Sequence, residues 1–429
     1  MKEITFDQLK ETLYFEKLDN GLSVYILPKE GFNKTYATFT TKYGSIDNHF
    51  RPPGGEELRV PDGIAHFLEH KMFEEEDGDV FQKFSSNGAS ANAFTSFERT
   101  AYLFSCTDHL ETNLTTLIDF VQHPYFTDEN VEKEKGIIAQ EIRMYEDNPD
   151  WRSYFGLIQN MYHQHPVRID IAGTIESISK ITKETLYQCY ETFYHPSNML
   201  LFVVGSVEPK KIMNLVIQNQ NRKDFKNSLE RIERFYPNEP QSVKSKRSEV
   251  KLSVGIPKCL FGFKEKRNNL TGEALLKREL STKLLLDILL GPSSILYQQL
   301  YDEDIINDTF GSDYSCEQQY AFSVVGGDTK DPDKLLQKVE ESLKKRKEEG
   351  ISEDEFERAR RKKIGGFLKA LNSPEFIANQ FTRYRFIDSD LFHIVPVLED
   401  LNLEDVNQRL QEHIDFEQMA VSIVSSTEK

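Results

Sequence analysis

Hydrophobic and polar positions along the chain follow two periods, and the switches between them mark out the elements. Tyr14–Phe15 through Pro28 reads as two strands joined at Asp19-Asn20-Gly21, where Asn-Gly supplies the positive φ that a tight hairpin needs. Thr35 to Tyr43 alternates and is rich in β-formers, and a strand beginning near Ser90 continues through Thr100 to Ser105. Met199 to Val207 is apolar at nearly every position, the pattern of a buried strand. Between these runs the period lengthens to that of a helix. Residues 109–122 place Leu110, Leu114, Leu117, Ile118 and Val121 on one face. Residues 128–147 open at Thr127-Asp128 and stop near Asn148-Pro149, and 152–163 and 182–194 read as further helices. His49 to Asp62, with its Pro and Gly residues, is expected to be a loop.

Residues 219–249 break the pattern. They are polar, contain Pro237 and Pro240, and read as a linker between two halves. Beyond it the plan repeats at a distance of roughly 225 residues. Phe126-Thr-Asp-Glu-Asn-Val-Glu matches Ile351-Ser-Glu-Asp-Glu-Phe-Glu, and Ile181-Thr-Lys-Glu to Gly205 matches Leu401-Asn-Leu-Glu to Ser425. A repeat of that length predicts two similar domains, residues 1–218 and 250–429, joined by the 219–249 linker.

Composition narrows the function classes. A hydrophobic share of 38% and a charged share of 29% fit a globular protein with real cores. The net charge of −17 argues against nucleic acid as a partner. No apolar stretch reaches the roughly eighteen residues of a membrane span, and the first twenty residues lack the pattern of a signal peptide, so a cytoplasmic location without membrane contact is expected. Cys106, Cys189, Cys259 and Cys316 lie far apart, which points to reduced thiols.

The candidate chemistry is concentrated in Gly63-Ile-Ala-His-Phe-Leu-Glu-His-Lys-Met-Phe73. On a helix, His66 and His70 stand one turn apart on one face, and Glu69 falls within about a third of the circumference. Two neutral imidazoles so placed are half of a zinc site, and the neighbouring carboxylate can take a proton from water. H-x-x-E-H is the reverse of the H-E-x-x-H zinc helix. A catalytic zinc needs a third ligand, and Glu134 and Glu141, seven apart on one face of the 128–147 helix, are both candidates. The second half has no H-x-x-E-H; Ala359 and Gly366 stand where the repeat aligns Glu134 and Glu141.

His66-Phe-Leu-Glu-His70 followed by Glu141 resembles the M16 metallopeptidases, the pitrilysin and mitochondrial-processing-peptidase family. Asn20-Gly-Leu-Ser-Val-Tyr-Ile-Leu27 resembles that family's opening strand, and Asn87-Gly-Ala-Ser-Ala-Asn-Ala-Phe-Thr-Ser-Phe-Glu-Arg-Thr-Ala-Tyr102 its substrate-binding strand. The resemblance implies a zinc metalloendopeptidase with one Zn²⁺ per chain, held by His66, His70 and Glu141. It implies Glu69 as general base and Glu134 supporting a ligand. Gly88, Ala89, Ser90, Ala91, Asn92 and Ala93 would line the strand that pairs with a peptide. Two α+β domains of shared fold, each a mainly antiparallel sheet with helices packed on it, facing across a cleft, are implied as well. In that family an Arg and a Tyr from the zinc-free half reach the active site, and here they align with Ala321 and the neighbourhood of Pro332. The expected partners are therefore peptide substrates and a second chain, in a homodimer or in a heterodimer with a paralogue lacking the zinc motif. The other expectation is a non-catalytic peptide-binding or scaffold subunit. Glu74-Glu-Glu-Asp-Gly-Asp79 reads as solvated surface or as a selector of basic substrate residues, and His163, His165 and His195 as surface histidines.

Overall fold

The structure is a computed structural model and describes residues 1–76, 78–225, 231–266 and 270–427. Asp77 of the acidic run and residues 226–230 of the expected linker lie outside the described residues. The chain forms two compact units. The first comprises 1–142, 169–236 and 371–386; the second comprises 143–168, 237–370 and 387–429.

The first unit is built on a seven-stranded sheet. Its strands are β1 (Lys2–Phe6), β2 (Glu11–Lys17), β3 (Ser23–Pro28), β4 (Thr35–Thr41), β5 (Ser90–Thr95), β6 (Thr100–Cys106) and β7 (Met199–Gly205), in the order β1-β2-β3-β7-β4-β6-β5. All neighbours are antiparallel except β3 and β7, which run parallel with Leu200 opposite Ser23. Alternation along the strands sends Val24, Ile26, Ala37, Phe39, Leu201 and Val203 to one face, where they join the core under the helices that include Leu110–Val121 and Lys183–Phe193. Tyr25, Tyr36 and Phe202 project from the opposite face.

That second face is covered by the helix Pro374–Phe386. Phe381 is fully buried, with its ring 4.9 Å from Tyr25 and 4.7 Å from Phe202. β7 is therefore buried on both sides, which is why it reads as an unbroken apolar run. The His49–Asp62 segment, expected as a loop, contains short strands at His49–Arg51 and Leu58–Arg59 that join Glu233–Arg234 in a small sheet.

The second unit repeats the plan with five strands: β8 (Arg247–Leu252), β9 (Lys258–Phe263), β10 (Gly311–Cys316), β11 (Ala321–Asp328) and β12 (Met419–Ser426), ordered β8-β12-β9-β11-β10. Its single parallel pair, β8 with β12, is the counterpart of β3 with β7. One face carries the helix Pro149–Met161, whose Asn160 side-chain amide donates to Ser248 Oγ at 2.7 Å and to the Val421 carbonyl at 2.8 Å. The linear boundaries 1–218 and 250–429 differ from these units in two ways. Each unit takes one helix from the other half of the sequence, and β8 begins inside the expected linker.

Among the described residues no single helix is long and apolar enough to cross a membrane; Gly272–Leu290 with Ile295–Asp302 passes only as a bent pair, and most apolar side chains of Gly272–Leu290 are buried in the second unit. All four cysteines are buried and unbridged.

The role of the distant helix has a direct test. Phe381→Ala removes a fully buried ring from the second face of the first sheet, and the expected loss is about 3–5 kcal/mol of unfolding free energy. Urea denaturation of the full chain measures it, and a change below about 1 kcal/mol would mean that this helix does not close the sheet.

Candidate metal centre

The site grows from two helices of the first unit. α1 (Ile64–Lys71) starts at Gly63, which adopts φ 87°. A Cβ there would stand 2.3 Å from the Ala172 carbonyl oxygen, so only glycine lets the chain enter the helix at this point. Ile64, Ala65, Phe67 and Leu68 then sink into the core, and the helical period leaves His66 and His70 on the other side with ring centroids 4.5 Å apart.

α2 (Asp128–Glu146) buries Val131, Glu134, Ile138 and Ile142. Glu141 sits at the edge of that stripe. Its carboxylate oxygens lie 3.6 Å from His66 Nε2 and 3.5 Å from His70 Nε2. One ligand atom from each of the three residues falls within 4.8 Å of the others.

These residues fit a zinc ion. Two donors bonded at about 2.0–2.1 Å to a tetrahedral ion stand roughly 3.3 Å apart, close to the separations found between Glu141 and each imidazole. Burial, helped by the charge of a protonated His70, lowers the pKa of His66 to about 3, so His66 stays neutral and keeps a lone pair to offer. For His70, burial pulls downward, but the hydrogen bond to Glu134 and the charges of Glu141, Glu69 and Glu134 outweigh it, and the pKa is raised. The donor set is two imidazole nitrogens and one carboxylate oxygen, a combination that zinc accepts in catalytic sites.

Glu134 lies behind His70. His70 Nδ1–H donates to Glu134 Oε1 at 3.0 Å, which directs Nε2 toward Glu141. Burial raises the pKa of Glu134, but the His70 hydrogen bond and the charges of His70 and Lys71 prevail and hold it below the ordinary carboxylate range. His66 has no such support: its Nδ1 is buried without a hydrogen-bond partner.

Glu69, four-fifths of a turn beyond His66, is buried. Burial pushes its pKa up to about 7; the Thr95 hydroxyl, which donates to Oε2 at 2.5 Å, and the charge of His70 oppose that rise. A carboxylate balanced near neutrality can both take and give a proton. Thr95 closes β5, the edge strand of the large sheet, and pairs with Thr100 of β6. Within the expected substrate stretch, Ser90 to Ala93 lie in this edge strand, whereas Gly88 forms the preceding turn at φ 67° and Ala89 is buried. Among the described residues no strand pairs with the outer edge of β5.

Other residues fall away from the site. Glu74 pairs with Lys71 and Glu75 with Lys83, so two of the acidic run's three glutamates are engaged internally. His165, expected at the surface, is buried in the second unit, with Nδ1 accepting from the Val167 N–H at 3.1 Å. Sequence reasoning did not single out Thr95 or Lys71. Alternation from Ala91 and Ala93 puts Thr95 on their face of the strand, and a lysine inside an otherwise apolar turn was the available signal for Lys71.

A fold of two similar units, with H-x-x-E-H on one helix and a converging carboxylate on another, defines a metallopeptidase class, and sequence comparison agrees. The "Insulinase (Peptidase family M16)" profile matches residues 56–175 and the "Peptidase M16 inactive domain" profile matches residues 180–363. The chain belongs to the M16 peptidase family. Among its relatives is a Bacillus subtilis (strain 168) protein named "Uncharacterized zinc protease YmfH", 60% identical over 98% of each chain. A second from the same organism, "Uncharacterized zinc protease YmxG", is 24% identical over 85% of this chain and 88% of its own. A crystal structure described as M16-like, from Alicyclobacillus acidocaldarius, superposes with a TM-score of 0.94 at 43% identity, covering 97% of this chain and 99% of that one. A Helicobacter pylori protease shares the fold alone, at a TM-score of 0.82 and 20% identity over 96% of this chain and 99% of that one.

The balance on Glu69 can be read directly. The Thr95 hydroxyl favours the ionised carboxylate, so Thr95→Val should raise the Glu69 pKa further above about 7. Carboxyl ¹³C titration of the metal-free chain would report it, and an unchanged or lowered value would contradict the geometry.

Proposed function

We propose that this chain is a zinc endopeptidase that cleaves extended, unfolded peptide segments. The observation that carries the reading is the convergence of His66, His70 and Glu141 beside a buried carboxylate, Glu69. His66 and His70 would hold the ion through Nε2, and Glu141 through its carboxylate. Zinc held there supplies Lewis-acid activation of water and of the scissile carbonyl. Glu69 takes the proton of the attacking water at Oε1, the oxygen that Thr95 does not engage, and later delivers it to the leaving amine. Glu134 keeps the Nδ1 proton of His70 in place, so that Nε2 remains a lone-pair donor.

The open edge of β5 suits the substrate. An extended peptide can add to it through main-chain hydrogen bonds, a mode that tolerates many side chains. Ala91 and Ala93 are small enough to let a second backbone approach.

The positions aligned with the family's Arg and Tyr carry no such donors here. Ala321 is buried at the start of β11, and Pro332 opens the helix Pro332–Glu349. The proposal therefore includes a second, related chain that supplies these groups. Adding a copurifying paralogue without the zinc motif should raise the rate by about 10²–10³, the usual worth of an oxyanion donor. Full activity of the lone chain, unchanged by such a partner, would remove that part of the proposal.

The zinc reading separates from a non-catalytic scaffold by three variants. Glu69→Gln should keep zinc and lose peptidase activity by about 10²–10⁴-fold, because the base is lost and the ligands remain. His70→Ala and Glu141→Gln should lose zinc as well. Metal content together with hydrolysis of a quenched peptide measures both. A Glu69→Gln chain of parental activity would overturn the mechanism, and a Glu141→Gln chain of parental zinc affinity would move the third ligand elsewhere.

A further inference from the structure

Lys71 is the most unusual residue near the site. It follows His70 directly, it closes α1, and its side chain is fully buried at 0% exposure. Lysine is almost never buried to that degree without a partner. Its ammonium is paired with Glu74, which is about one-third exposed, and with Glu134 Oε2 at 3.6 Å.

The two oxygens of Glu134 are thus divided. Oε1 accepts from His70 Nδ1 and Oε2 faces Lys71. Among the described residues these are the partners of Glu134. A carboxylate held at one oxygen can swing about its side-chain torsions; one held at both has its plane set. The plane of Glu134 sets the direction of the His70 Nδ1–H bond, and with it the direction of Nε2 toward Glu141.

We propose that Lys71 is a positioning residue for the metal site, acting through Glu134 on the orientation of His70. The chain of contacts runs Glu74, Lys71, Glu134, His70. It anchors one of the two histidines from behind, while His66 Nδ1 has no partner of its own. The ligand helix is short and ends at Lys71, so His70 sits in its last turn, where fraying would otherwise cost alignment. A cation at a helix C-terminus also suits the macrodipole. This inference rests on the zinc reading given above.

The test is a double-mutant cycle on metal affinity, with zinc measured by chelator competition and the Co²⁺-loaded protein by its visible absorption. Lys71→Met keeps the length of the side chain and removes the charge. It should weaken zinc about 10–100-fold, the usual effect of losing support for a ligand. Glu134→Gln should do the same, and Lys71→Met in the Glu134→Gln background should add less than about twofold, since the carboxylate through which Lys71 acts on His70 is then gone. The Co²⁺ absorption bands should shift in both single variants. If Lys71→Met does not fold, Lys71→Gln enters the same cycle and is read in the same way. A folded Lys71 variant with parental zinc affinity, or a loss that adds in full to that of Glu134→Gln, overturns the role of Lys71 alone. A parent chain that takes up no zinc overturns the zinc reading and this role with it.

Discussion

Two helices far apart in sequence must deliver three donor atoms to one point, and much of the first unit serves that constraint. α1 and α2 have no backbone hydrogen bond in common, so their alignment depends on what each buries. α1 is pinned by the apolar positions flanking its histidines and by the turn at Gly63, where any side chain would collide with Ala172. α2 is pinned by Val131, Ile138 and Ile142. The sheet beneath is closed on its other side by Pro374–Phe386, so the platform depends on a helix encoded more than two hundred residues downstream of Glu141. A cavity left by Phe381 would loosen the same sheet whose edge strand ends at Thr95.

Electrostatics then separates chemically identical groups. Glu69 and Glu134 are both buried carboxylates within the same small volume. Glu69 has a hydroxyl as its hydrogen-bond donor, and burial wins, leaving it near neutrality. Glu134 has an imidazole and an ammonium, and charge wins, leaving it ionised. Such a division between two carboxylates is how one site acquires a proton carrier and a fixed anchor. His66 and His70 are divided in the same sense, one held neutral by burial, the other supported from behind by a carboxylate.

Much of this was legible in the residues themselves. The spacing of His66, Glu69 and His70, and the seven-residue step from Glu134 to Glu141, depend only on helical period, which sequence reports well. The strands β3, β4 and β7 announced themselves by alternation or by continuous apolar character. What escaped was set by contacts between distant segments. The exchanged helices have amphipathic patterns that say a face is buried but not against which sheet. Thr95 sat unremarked in its strand until its hydroxyl was seen on Glu69. Lys71 passed unremarked as well, because a buried ammonium is intelligible only when Glu134, sixty-three positions away, is known to face it.

The central claim, that His66, His70 and Glu141 bind one zinc ion, is tested most directly by anomalous diffraction from crystals of the purified chain at the zinc absorption edge. The account predicts one strong peak per chain, about 2.0–2.1 Å from His66 Nε2 and His70 Nε2 and about 2.0–2.2 Å from a carboxylate oxygen of Glu141. A zinc-loaded chain with no peak there, or with its peak bound by other residues, would contradict it.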